Sequence, residues 1–130
     1  MIPESLTQLV AFLEAEGFRT VEDSETPELF GDRRFRWIRR DLRVQVSFDR
    51  GRCFVDVSPA WWKEWFGYGL EIVIDTLDEV EKFTHLLTLR DATDILIGRL
   101  PEIANLLSSQ DGCDLVEAKH HERAQRWFGA

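Results

Sequence analysis

Between Leu42 and Phe48 the chain alternates without a break, with Leu42, Val44, Val46 and Phe48 set against Arg43, Gln45 and Ser47. A period of two sends successive side chains to opposite faces, so this run is a strand with one dry side and one wet side. The pattern recurs on both flanks. Phe35 and Trp37 alternate with Arg34, Arg36 and Ile38 before it, and Cys53, Val55 and Val57 with Phe54 and Asp56 after it. The intervening Arg40-Asp41 and Asp49-Arg50-Gly51 have room only for tight turns, Gly51 being suited to the positive φ of a bulged hairpin. Strands joined this closely run antiparallel, because a parallel pair needs a long crossover.

The remaining segments fit around that meander. Residues from about Pro3 to Glu16 repeat Leu6, Leu9, Val10 and Leu13 at helical spacing, and Gly17 ends the run. Phe18 to Val21 reads as a short edge strand, and the acidic, Pro27-containing stretch Glu22 to Glu28 as a surface loop. After Pro59, which cannot donate to a ladder, Trp61-Trp62-Lys63-Glu64-Trp65-Phe66 is expected to make one or two helical turns closed by Gly67. Leu70, Ile72 and Ile74 alternate as a further strand. Thr76-Leu77-Asp78-Glu79 has the form of a capping box opening a helix with Val80, Phe83 and Leu87 on one side. A helix over Asp91 to Leu107, which Pro101 should kink or restart, and a last one over Asp114 to Trp127 complete the chain. The expected architecture is one α+β domain over residues 1–130. It has an N-terminal helix, a four- or five-stranded antiparallel meander, and C-terminal helices packed on one face.

A chain of 130 residues supports one core rather than two, and 44% hydrophobic content fills it without disulfides or metal. Of the two cysteines, Cys53 falls at an inward strand position and reads as a small core residue. No apolar run approaches the roughly 18 residues of a membrane span. The start, Met1 to Ser5, lacks the basic and apolar regions of a secretory leader, so a cytoplasmic protein is expected.

Charge is unevenly distributed. From Arg33 to Arg52 there are eight arginines against Asp41 and Asp49, a formal +6, while the rest of the chain carries −14. Such an envelope disfavours nucleic acid and anionic membranes and favours basic partners. Arg34, Arg36 and Arg43 are expected on the wet side of the sheet, paired with Asp56, Glu71 or Asp75, each exposed pair worth about 0.2 to 1 kcal/mol. An RNA-binding sheet needs two or three stacked rings and a basic domain, and here Phe54 is the one clearly outward ring.

Catalytic patterns are missing from the sequence: it has no phosphate-cradling glycine loop, nucleophile elbow, Cys-x-x-Cys pair or zincin helix. Glu117 and His120 have a spacing used in metal sites, but no second Glu-x-x-His completes a set, so no metal or cofactor is expected. Asp91 and Asp94 share a helical face, and helix capping explains Asp91 better than paired acid–base work. The tryptophan cluster remains. In a helix Trp61 would stack with Trp65, and Trp62 with Phe66, more aromatic surface than one short face buries. It reads either as a plug for one end of the sheet or as a partner-binding surface. On the second reading Trp61, Trp62 and Trp65 are anchors, with Glu64, Glu71 and Asp75 as neighbouring acids.

A single acidic α+β domain of this length without a catalytic motif resembles, in composition and element order, the small cytosolic immunity proteins of bacterial polymorphic toxin systems. That resemblance implies a stoichiometric inhibitor of a basic toxin, such as a nuclease. The chain is also similar to acidic secretion chaperones, which combine a helix, a twisted meander and further helices and act as homodimers. An enzyme or sugar binder using the tryptophan cluster is the remaining class.

Overall fold

A computed structural model describes residues 4–26, 32–65, 67–79 and 87–128, the side chains of 22–26, 32 and 126–128 excepted. Helix α1 (Glu4–Ala15) buries Leu6, Leu9 and Leu13. It ends where Gly17, at φ 90°, lets Gly17 N–H and Phe18 N–H reach back to the Glu14 and Leu13 carbonyls. Five strands follow: β1 (Arg19–Thr26), β2 (Asp32–Ile38), β3 (Leu42–Asp49), β4 (Arg52–Pro59) and β5 (Tyr68–Gly69). They pair antiparallel in chain order, as the turn lengths require. The register aligns Trp37, Val44, Val57 and Tyr68 in one row and Phe35, Val46 and Val55 in the next. All seven are buried and form the sheet's side of the core.

Helices α2 (Leu70–Asp78), α3 (Leu89–Leu106) and α4 (Gln110–Phe128) complete the domain. Helix α1 packs against α3, α3 against β4, and α2 against both α3 and α4. Thr88 caps α3, its side chain accepting from Asp91 N–H at 3.1 Å, so Asp91 is a first-turn acid rather than the cap itself. Arg99 on α3 grips Asp78 at the end of α2 with two bonds of 2.8 and 2.9 Å. No helix among the described residues is long and apolar enough to cross a membrane.

The structure departs from the sequence reading in several places. Strand β1 continues to Thr26 through a bulge between Thr20 and Glu22, so Glu22 to Thr26 of the expected acidic loop are ladder. Leu70 to Ile74 is helical rather than extended. Leu70, Val73 and Ile74, at i, i+3 and i+4, are the buried set, and an apolar run this short satisfies both periods. The Thr76 capping box does not open a helix. Thr76 Oγ instead donates to the Ile72 carbonyl inside α2, and Glu79 at φ 57° closes that helix where one was expected to begin. The expected helix around Val80 and Phe83 lies outside the described residues. Helix α3 continues through Pro101. Both Pro101 and Ile97 are exposed there, so water can satisfy the carbonyl that proline leaves without a donor.

Candidate functional site: an arginine-anchored tryptophan loop

Between β4 and β5, residues 60–65 and 67 form an irregular loop where helical turns were expected. The reason is Arg43. Its strand position points away from the apolar core, yet it is only 3% exposed, because the loop folds over it. Arg43 Nε donates to Ser58 Oγ at 3.0 Å, Nη1 to the Trp62 carbonyl at 3.3 Å and Nη2 to the Glu64 carbonyl at 2.6 Å. Charge-assisted bonds to the loop carbonyls, about 1.5 to 3 kcal/mol each, outweigh the marginal stability of one short helical turn. The expected exposed pairing of Arg43 with an acid is therefore replaced by a buried clasp on backbone oxygens. Burial and the nearby Arg36 push the Arg43 guanidinium below its ordinary range.

The three tryptophans take separate roles. Trp65, half-buried, lies against two guanidinium groups, with Arg43 at 4.5 Å and Arg36 at 4.8 Å from its ring centroid. Arg36 in turn donates to Gln45 Oε1 at 2.7 Å. Trp62 packs edge-on to Tyr68 at 5.3 Å and joins the margin of the core. Trp61 meets Trp62 edge-on at 6.2 Å and remains 52% exposed. Lys63 and Glu64 beside it are exposed as well.

Beneath the loop, Gln45, Asp56, Ser58, Trp65 and Gly67 enclose a space of about 10 Å³, enough for one water at most and too small for a substrate. Gly67 permits this closeness, since a Cβ there would lie 3.0 Å from Asp56 Cβ. Burial, and secondarily the charge of Glu71, push the Asp56 carboxyl up to about 6. Glu71, half-buried in the first turn of α2, is raised mainly by burial, with Asp75 pushing the same way and Arg123 opposing.

Trp61, Trp62, Glu64 and Trp65 thus share one loop, and Glu71 lies near Asp56 under its far end. Asp75 does not join them. It is fully buried on α2 and accepts from Arg123 Nη1 of α4 at 3.4 Å, so it presents nothing to a partner. The period-two reading of Leu70–Ile74 had placed Asp75 at the end of a surface strand, and the helix turns it inward. Glu117 pairs with His121 at 3.2 Å, and no cluster of three potential metal ligands occurs among the described residues. The Cys53 thiol, raised to about 11 by burial and then by Asp56, is a poor nucleophile at neutral pH.

Sequence reasoning missed Arg43, Asp56 and Ser58 as parts of this site. The available signal was an arginine two residues from Gln45 on the wet face, followed by an aromatic run long enough to fold back over it. No family model, curated protein or solved structure matches the chain.

Proposed function

We propose that the protein acts by binding one partner protein stoichiometrically, as an immunity-type inhibitor of a basic toxin, with Trp61 as the anchor and Glu64 as the neighbouring acid. The observation that carries this reading is an exposed tryptophan on a loop whose backbone is clamped by a buried arginine. Burying a guanidinium costs several kcal/mol, which a connection of no consequence would not require. A clamped loop loses little entropy on binding, and an aromatic anchor of few rotamers turns that rigidity into affinity. The formal −14 outside Arg33–Arg52 would speed encounter with a cationic surface.

The test is capture from the native cell, followed by co-expression with the captured protein. Rescue from a toxic partner, lost on Trp61→Ala, supports the reading. Turnover of a small substrate by the pure protein would replace it with an enzyme, and a stable homodimer holding a secretion substrate would replace it with a chaperone.

A further inference from the structure

Where the tryptophan loop leaves the sheet there is a second depression, of about 320 Å³, lined by Gly17, Arg19, Ile38, Arg39, Arg40 and Ala60. The register explains why these residues meet. Arg19 pairs with Ile38, and Ile38 with Arg43, so the three share one row and one face of the sheet. Arg39 and Arg40 follow Ile38 at the end of β2. Ala60 is tied to the same turn, its N–H donating to the Asp41 carbonyl at 3.2 Å. Three of the six lining residues are arginines and none is an acid, in a chain whose net charge is −8.

The three arginines do different work. Arg39 serves the fold: its Nε and Nη2 donate to the two Asp41 carboxylate oxygens at 2.6 and 3.1 Å, and its Nη1 to the Glu16 carbonyl at 3.0 Å. Its guanidinium also lies 4.7 Å from the Phe18 ring centroid, and the Glu16 carboxylate stands 4.0 Å from Nη1. The bonds to Arg39 hold the Asp41 carboxyl below its ordinary range, with Arg40 adding to the effect from farther away. The neighbouring acids are thus drawn to Arg39. Arg19 and Arg40 are exposed and have no hydrogen-bond or ion-pair partner among the described residues. Like charges gathered at one depression repel, and an anion between them turns that repulsion into attraction. Guanidinium forks match the oxygens of phosphate and carboxylate alike. Two free cations balance a phosphate monoester, which carries about −1.5 to −2 at neutral pH, whereas a carboxylate would leave one of them uncompensated. The space is about ten times the roughly 30 Å³ of one water, and Ile38 and Ala60 offer an apolar wall to the group that bears the phosphate. We propose that this depression binds the phosphate of a small organic phosphomonoester, held by Arg19 and Arg40 beside the anchored Arg39. The site needs no partner at Trp61.

The experiment titrates the intact chain with phenyl phosphate by calorimetry, at about pH 7.5 and about 0.15 M sodium chloride, the salt screening diffuse attraction. Phenyl sulfate, alike in shape but singly charged, and benzoate are the controls. Expected are a Kd of about 1 mM or tighter, binding at least about fivefold weaker for both controls, and a loss of at least about tenfold on Arg19→Gln and on Arg40→Gln. Both side chains are exposed, so these changes leave the fold intact, which an unchanged urea midpoint checks. Arg52→Gln, at an exposed arginine on the opposite end of the meander, should leave the affinity as it is. Equal binding of phenyl phosphate and phenyl sulfate, indifference to Arg19→Gln and Arg40→Gln, or an Arg52→Gln loss as large as theirs would each overturn the proposal, as would no binding of phenyl phosphate. A capped phosphoserine peptide separates the sources of the phosphate. Weaker binding than phenyl phosphate supports a small-molecule ligand, and tighter binding would overturn that assignment in favour of a phosphorylated protein.

Discussion

The Arg43 guanidinium lies 4.5 Å from the Trp65 ring centroid while donating to the Trp62 and Glu64 carbonyls. One side chain of the central strand therefore fixes both the backbone and an aromatic ring of the loop that presents Trp61. The clasp makes the outer face of the sheet, at this end, an interior.

Replacing Arg43 should accordingly be expensive. Arg43→Gln removes the charge and most of the donors, leaving the loop carbonyls to find water. Losing charge-assisted bonds and a desolvated cation–π contact should destabilise the protein by about 2 to 4 kcal/mol. Arg43→Lys should recover little, because an ammonium lacks the planar fork that reaches three acceptors. Urea titration measures both. A loss below about 1 kcal/mol for the glutamine variant would return Arg43 to the class of exposed pairs.

Asp56 should make stability depend on pH in a direction opposite to that of a salt-bridged carboxylate. Its folded pKa is raised from 3.8 to about 6, so the folded state holds the proton more tightly than the unfolded chain. The stabilising contribution is complete below about pH 4 and is lost as pH rises through about 6, to a limit of roughly 3 kcal/mol. Asp56→Asn should be more stable than the parent by about 1 to 3 kcal/mol at pH 8 and nearly equal to it at pH 4. Parallel stability–pH curves for parent and variant would refute this.

The Asp75–Arg123 pair ties α2 to α4 in the core, at 0% and 10% side-chain exposure. Asp75→Ala removes the carboxylate that the buried Arg123 donates to and should cost about 3 to 5 kcal/mol. Combining Asp75→Leu with Arg123→Met should restore much of that, since well-packed apolar pairs often replace buried ion pairs without loss. Thermal unfolding of both variants checks the point. Equal losses in the two would mean that the pair is worth more than the packing that could replace it.

The meander was legible because β2, β3 and β4 each turn an alternating apolar set toward the core under short turns, and no other period fits Leu42–Phe48. Leu70–Ile74 was not legible, because its few apolar residues satisfy two periods and only tertiary packing decides between them. Thr76 was misread for a related reason. Threonine can cap a helix from outside or bond the i−4 carbonyl from within, and Ile72 supplies that carbonyl. The tryptophan run stands out in the sequence, but its geometry depends on Arg43, nearly twenty residues upstream. Local spacing carries no trace of such a contact. Asp75 was misassigned with its helix, since a reading as strand decided which way the carboxylate pointed.

Trp61 and Trp62 are adjacent, and the structure separates their work. Trp62 packs on Tyr68 at the core margin, so Trp62→Ala should destabilise the protein by about 2 to 4 kcal/mol, in the range of large core truncations. Trp61 is 52% exposed, and Trp61→Ala should change stability by no more than about 0.5 kcal/mol. Its effect should fall on binding. If the loop anchors a partner, removing the exposed indole should weaken the complex by about 2 kcal/mol or more, roughly thirtyfold, mainly through faster dissociation. Acrylamide quenching of variants that keep one loop tryptophan should find Trp61 accessible and Trp62 shielded, with the captured partner protecting Trp61. A partner that binds the Trp61→Ala variant as tightly as the parent would place the interface elsewhere on the domain, and the loop would then be a clasp with no partner to meet.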